Sequence, residues 1–146
     1  MRTAVFPGSF NPITIGHIAL LRQALKLFDK VIVAVGVNID KRGASPVEER
    51  INRIRQATAG MERVEIMEYD ILTTDFCRQV GANFIVRGLR GTADFENESE
   101  IAEVNRLLAP EIETVFLLSE PQYKAISSSM VRQLKAFGKD TSKYES

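Results

Sequence analysis

The sequence predicts an α/β fold built on a doubly wound, five-stranded parallel sheet. Two observations carry this expectation. Apolar runs alternate with stretches of helical period along the whole chain, as five β-α units in succession would. One of those runs, Val31–Val37 (VIVAVGV), is apolar on both faces, as a parallel strand covered on both sides must be. Right-handed crossovers follow from the handedness of such units, and ligands are expected beyond the carboxyl ends of the strands. The loops that matter are then those after Phe6, Val37, Met67, Val86 and Leu118.

Each element has a local reason. Thr3–Phe6 is a short apolar strand, and Gly16–Phe28 follows as a helix with Ile18, Leu21, Leu25 and Phe28 on one face. After the Val31–Val37 strand, 38–44 reads as a polar loop containing Lys41 and Gly43. Ser45, Pro46 and Glu48 then read as N-cap, first helical residue and capping-box partner of a helix to about Ala59. Val64–Met67 is a third strand, and Thr73–Val80 a short helix closed by Gly81. Phe84–Val86 begins a fourth strand. A helix to about Leu108 follows, with Ile101, Val104 and Leu108 expected inward and Pro110 as its stop. Thr114–Leu118 is the fifth strand, Ser128–Phe137 the last helix, and a polar tail begins at about 138.

Composition excludes several classes. The 146 residues fit one domain, 1–146, and suffice for a core without staples. Nineteen acidic and nineteen basic residues cancel, which argues against a nucleic-acid partner, so any anion site must be a local cluster of bases. Cys77 is the single cysteine and His17 the single histidine, which leaves neither a disulfide nor a Cys/His zinc site; no protein metal site is expected. No apolar run is long enough for a membrane span and no secretory leader is visible, so the expected location is the cytoplasm.

The informative segment follows the first strand: Pro7-Gly8-Ser9-Phe10-Asn11-Pro12-Ile13-Thr14-Ile15-Gly16-His17. The familiar phosphate-loop and dinucleotide glycine motifs are both absent. Gly8 permits a tight turn or close approach of a ligand, and Gly16 and His17 open a helix whose free N–H groups suit phosphate. His17 is placed to donate to a phosphate oxygen. On spacing alone, a simple βα loop with a Thr14 cap and a surface His17 fits equally well.

GSFNP followed by Thr14, Gly16 and His17 resembles the signature of the nucleotidyltransferase superfamily with a Rossmann-like fold. Ile126-Ser127-Ser128-Ser129 is similar to that superfamily's second signature, although a serine alone is also an ordinary helix cap. Val86-Arg87-Gly88-Leu89-Arg90 with Asp94-Phe95-Glu96, then Asn105-Arg106, resembles the phosphopantetheine adenylyltransferases over about residues 3 to 140. That resemblance implies transfer of adenylyl from ATP to 4'-phosphopantetheine, giving dephospho-coenzyme A and pyrophosphate. It implies that Ser9, Phe10, His17, Gly88, Leu89, Arg90, Glu98, Tyr123, Lys124, Ala125, Ile126, Ser127, Ser128 and Ser129 hold ATP. It implies that Ser9, Lys41, Thr73 and Arg87 hold the acceptor, and that His17, Lys41 and Arg90 act in catalysis. It further implies a homohexamer, Mg2+ carried by the ATP phosphates, and coenzyme A as a feedback ligand.

Departures from the family pattern keep alternatives open. Asn11 stands where the family usually has Asp and is more typical of nicotinate mononucleotide adenylyltransferases, which lack the RGLR…DFE block. Asn97 and Glu100 also differ, and the chain is shorter than most members. A nucleotide-binding module without catalysis is the reading from a different class. The chemistry agrees with the resemblance: a phosphate monoester has its second pKa near 6 and is already an anionic nucleophile at pH 7, so no general base is needed. Holding two polyanions together with Arg87, Arg90, Lys41, His17 and a helix N-terminus would suffice.

Overall fold

The computed structural model describes residues 1–37 and 45–146; the expected loop with Lys41 lies outside them. Five parallel strands, β1 (Thr3–Gly8), β2 (Lys30–Gly36), β3 (Val64–Tyr69), β4 (Phe84–Leu89) and β5 (Glu113–Leu118), form one sheet in the order β3-β2-β1-β4-β5. The helices are α1 (Ile15–Leu25), α2 (Val47–Ala57), α3 (Thr73–Val80), α4 (Thr92–Leu108) and α5 (Ser128–Ala136), with a short 3-10 turn at Pro121–Tyr123. The chain winds outward from β1 through β2 to β3, then crosses to β4 and winds to β5. The switch point therefore lies between β1 and β4, where a doubly wound sheet binds its ligand.

The side-chain alternation of β1 builds a core on each face. Ala4 and Phe6 pack with Ile18, Leu21 and Ala24 of α1 and Ile54 of α2, whereas Val5 joins Phe76 and Cys77 of α3 with Ala109 and Ile112. The β2 strand is buried from Val31 to Val35, as its two-sided apolar sequence requires. The α3 helix stops at Gly81, whose φ of 72° is the left-handed conformation that glycine adopts without strain. Among the described residues no helix is long and apolar enough to cross a membrane.

Pairing at the switch point is unequal. β1 pairs with β2 from Thr3↔Lys30 to Gly8↔Val35, but with β4 only at Ala4↔Phe84 and Val5↔Ile85. Beyond Val5 and Ile85 the two strands splay. Pro7 has no N–H to offer, and the Arg87 guanidinium crosses the gap instead, donating from Nη1 to the Pro7 carbonyl at 2.8 Å.

Three expectations from the sequence need correction. The second helix starts at Val47 with no side-chain cap from Ser45. Pro46 takes the cap position in its place, while the Ser45 backbone donates from N–H to Asn11 Oδ1 at 3.3 Å and accepts from Arg50 Nε on its carbonyl at 3.0 Å. The fourth strand continues through Leu89, so Arg87, Gly88 and Leu89 are strand residues rather than a loop. The apolar stripe of α4 faces outward: Ile101, Val104 and Leu108 are exposed, as are Phe95 and Leu107, and Glu98 is the one buried residue of that helix. Glu98 turns inward because it meets Arg87, which rotates the apolar stripe away from the sheet.

The polar stretch after 138 does not trail into solvent. It folds back beside residues 13–15, with Ile15 N–H donating to Tyr144 O at 3.0 Å and Ser146 N–H to Ile13 O at 3.3 Å.

Candidate active site

The splayed strands open into a cleft of about 400 Å³ lined by the β1–α1 loop, the end of β4, the start of α4 and the start of α5. It draws together the residues singled out in three separate parts of the sequence. Ser9, Phe10 and His17 come from the first signature, Gly88, Arg90 and Glu98 from the arginine block, and Tyr123, Ile126, Ser127, Ser128 and Ser129 from the second signature. Arg87 also lines this cleft, and with Thr73 and Tyr69 it lines an adjoining cavity of about 190 Å³. Lys124 and Ala125 are exposed and line neither cavity, and Leu89 is a buried side chain of β4 outside the cleft wall. Gly88 explains how closely β4 meets α1: a Cβ there would lie 2.2 Å from Leu20 Cδ1.

His17 is held by an unusual capping box. Thr14 caps α1, accepting from His17 N–H on Oγ1 at 3.3 Å, while the His17 ring reaches back to the Thr14 backbone. Thr14 N–H donates to Nδ1 at 2.9 Å, so Nδ1 is the unprotonated nitrogen and Nε2 carries the proton. Phe10, at φ 49°, packs its buried ring edge-on against the imidazole with centroids 5.1 Å apart. Desolvation, with smaller effects from the charges of Arg87 and Arg90, pushes the His17 pKa from 6.5 down to about 4. The imidazole is neutral at pH 7, an Nε2–H donor fixed at a cleft wall. Ile15 N–H is taken by Tyr144 O and His17 N–H by Thr14, which leaves the Gly16 N–H without a partner among the described residues at the same helix opening.

The chain has one histidine, which makes this state directly measurable. Nitrogen-resolved NMR of the free protein is expected to show an Nε2–H tautomer and a titration midpoint near pH 4. The unfolded chain binds the proton at about pH 6.5, so stability attributable to His17 is fully present above that pH and is lost as pH falls from 6.5 toward 4, on the order of 3 kcal/mol. A midpoint near 6.5 would return His17 to an ordinary surface histidine.

Two arginines flank the cleft and differ in commitment. Arg87 forms a two-pronged pair with Glu98, Nε to Oε2 at 2.8 Å and Nη2 to Oε1 at 2.6 Å. Burial opposes its charge, but the bond to Glu98 more than offsets this and holds its pKa above the usual value. Arg90 is more exposed and donates to Asp94 through its own N–H at 2.9 Å and Nε at 3.2 Å. Thr73 Oγ1 lies 3.0 Å from the Tyr69 hydroxyl.

The three serines have distinct places. Ser127 caps α5, accepting from Met130 N–H; Ser128 Oγ donates to the Pro12 carbonyl at 2.7 Å; Ser129 Oγ accepts from Arg132 Nη2 at 3.2 Å. The helix-cap reading of the serines is thus true of Ser127, and Ser128 ties the two signatures together.

Arg132 and Arg50 are residues that sequence reasoning missed. Arg132 stands one turn into α5, lines the cleft and donates to Asn11 O; its i+3 spacing from Ser129 is a signal that could have found it. Arg50 is buried and donates from Nη1 to the carbonyls of Ser9 at 2.8 Å and Gly36 at 3.1 Å, besides its Nε bond to Ser45. Asn11 is buried, with its side-chain oxygen accepting from Ser45 N–H and its backbone oxygen from Arg132. Its contacts here are with the protein.

Comparison with known proteins agrees with this geometry. The profile of the cytidylyltransferase-like family matches residues 5–134. Phosphopantetheine adenylyltransferase of Bacteroides thetaiotaomicron is 45% identical over 144 residues, covering 99% of this chain and 95% of that protein. The enzyme of the same name from Clostridium perfringens is 47% identical over 137 residues, covering 94% and 84%. In fold, the chain resembles a bifunctional NMN adenylyltransferase/ADP ribose pyrophosphatase of Francisella tularensis, whose crystal structure holds AMP and a manganese ion. The TM-score is 0.71 at 21% identity, over 99% of this chain and 44% of that one, a likeness of fold alone. With a family profile across most of its length and near-full-length relatives well above 40% identity, the chain belongs to the phosphopantetheine adenylyltransferases.

Proposed function

We propose that the chain transfers the adenylyl group of ATP to 4'-phosphopantetheine, releasing pyrophosphate and giving dephospho-coenzyme A, in the cytoplasm. The chain is an adenylyltransferase of coenzyme A biosynthesis by its family. The observation that carries the residue assignment is the convergence of His17, Arg90 and the opening of α5 on one cleft at the switch point, with Arg87 and Thr73 in the cavity beside it. ATP occupies the cleft along Ser9, Phe10, His17, Gly88, Arg90, Glu98, Tyr123 and 126–129; the phosphopantetheine arm occupies the side cavity along Thr73 and Arg87. Lys41 would reach the acceptor phosphate from outside the described residues.

The mechanism is positioning with electrostatic stabilisation. The acceptor phosphate attacks the α-phosphorus of ATP, a P–O bond forms there, and the bond to the β-phosphate oxygen breaks as pyrophosphate leaves. Neutral His17 donates from Nε2, the free Gly16 N–H supports the same phosphates, and Arg90 offsets the growing negative charge. Magnesium arrives with the substrate as MgATP. Among the described residues of the cleft the two carboxylates, Asp94 and Glu98, are already paired with Arg90 and Arg87, in keeping with a metal held chiefly by phosphate oxygens. Coenzyme A carries the adenylyl and pantetheine parts of the product and would compete for both cavities. Pyrophosphate release measured with ATP and either 4'-phosphopantetheine or nicotinate mononucleotide tests the reading. Release only with nicotinate mononucleotide, or ATP binding with no acceptor-dependent release, would overturn it.

The outward stripe of α4 supports assembly of identical chains into a homohexamer. Val104, Leu107 and Leu108 expose neighbouring apolar side chains on one face of this helix, a surface that favours burial against a partner. Light scattering on a sizing column is expected to show six chains for wild type and smaller species for Val104→Glu with Leu107→Glu. A wild-type monomer would remove the hexamer from the proposal.

A further inference from the structure

We infer that Glu145 is a positioning residue for His17, acting through the chain segment that lies beside Thr14; this rests on the adenylyl-transfer reading of the cleft. The Glu145 carboxylate is nearly buried, its side chain 9% exposed, and it joins two helices. Oε1 meets Arg53 Nη2 of α2 at 2.7 Å and Lys135 Nζ of α5 at 3.1 Å. Oε2 accepts from Thr141 Oγ1 at 2.6 Å, and Thr141 is itself buried. The bonds from these partners outweigh the desolvation cost, which keeps the carboxylate ionised below the usual pKa range.

The backbone around Glu145 is what reaches the site. Glu145 and Thr14 form an isolated antiparallel bridge, with Tyr144 O accepting from Ile15 N–H and Ser146 N–H donating to Ile13 O. Thr14 is thus gripped from both sides. Thr14 supplies the N–H and the hydroxyl that meet His17 Nδ1, at 2.9 and 3.0 Å. A continuous path of contacts runs from Arg53 and Lys135 through Glu145 and the 144–146 backbone to Thr14 and the imidazole. The same α5 that holds Lys135 opens at the cleft, where Ser128 Oγ donates to the Pro12 carbonyl just ahead of Thr14, so Glu145 also ties that helix to the segment that holds His17.

Neutralising Glu145 does more than weaken an ion pair. It frees the solvent-exposed Arg53 and Lys135 to swing into water, and the 144–146 segment loses the two charge-assisted bonds that tie it to α2 and α5. Thr14 then loses its strand-like support, and Nδ1 loses the fixed N–H donor that selects its tautomer. Small misplacements of this kind cost rate more than binding.

The test is Glu145→Gln, read in two ways. In nitrogen-resolved NMR of the free protein, the single histidine is expected to shift from a defined Nε2–H tautomer toward a mixture, its two ring nitrogen signals converging. In pyrophosphate release, kcat is expected to fall about 10- to 100-fold, with the KM for ATP changed less than about threefold. A normal kcat would overturn the proposal even with a lowered Tm, since Glu145 would then be merely structural. A lowered kcat with unchanged His17 signals would overturn it as well, since the carboxylate would be acting elsewhere. Should Glu145→Gln fail to fold, Arg53→Gln and Lys135→Gln each remove one anchor, and the same two readouts should move in the same directions. The NMR reading needs no substrate, so it judges the Glu145–His17 connection even if wild type released no pyrophosphate.

Discussion

Replacing His17 by alanine is expected to lower kcat by about 10²–10³ while both KM values change much less. His17 lines the cleft with Nε2–H as the polar group it has left to offer, because Nδ1 is spent on Thr14. It is neutral at pH 7, so its contribution is a fixed hydrogen bond aimed where negative charge builds, not a proton transfer. A ground-state contact of equal strength would show in KM instead. His17→Asn, which keeps a donor on a shorter side chain, should recover part of the loss, whereas His17→Phe should not. Stability is not wholly spared. The ring packs against Phe10 and its Nδ1 takes the Thr14 N–H, so alanine leaves one backbone donor open to solvent and removes an aromatic contact, worth on the order of 1–2 kcal/mol together. Steady-state kinetics beside a thermal melt separate these effects. Near-normal kcat in protein that melts several degrees lower would make His17 a structural residue, and normal values for both would remove it from the mechanism.

What could be read from the sequence, and what could not, divides along a physical line. Local chemistry was legible. The two-sided apolar run of β2, the left-handed stop at Gly81 and the open helix at Gly16 and His17 each depend on residues within a few positions of one another. The doubly wound parallel sheet followed from the alternation of elements, whereas the strand order and the place of the switch point came only with the structure. Contacts between distant segments were not legible. The α4 helix was expected to turn Ile101, Val104 and Leu108 inward because its apolar period permits it, but the buried pair of Glu98 with Arg87 sets the rotation instead. Arg50 carries no local mark that separates it from Arg53 and Arg55 on the same helix, yet it alone of the three is buried on carbonyls of Ser9, Gly36 and Ser45. The polar stretch that includes Glu145 reads as solvated chain, and only its fold-back shows that it braces Thr14.

Pantetheine lacking its phosphate is expected to be adenylylated at least about 10⁴-fold less efficiently in kcat/KM than 4'-phosphopantetheine. The reason is the nucleophile more than the fit. A phosphate monoester at pH 7 is mostly a dianion and attacks without losing a proton. The alcohol left by removing it keeps its proton, and the described residues lining the cleft offer no group free to take it. Glu98 is bound in two places by Arg87, and Asp94 accepts twice from Arg90. His17 presents a proton on Nε2 and turns its basic nitrogen away toward Thr14. The missing phosphate also removes the anion that Arg87 and Lys41 are proposed to meet, though Arg87 keeps Glu98 and so loses less than an unpaired cation would. Binding alone would then cost a modest factor, and the larger share of the loss should fall on kcat. Pyrophosphate release with the two acceptors at matched pH measures both. Turnover of pantetheine within about 10²-fold of the phosphorylated acceptor would mean that a base operates in this cleft, because an unactivated alcohol cannot compete with a phosphate dianion at neutral pH.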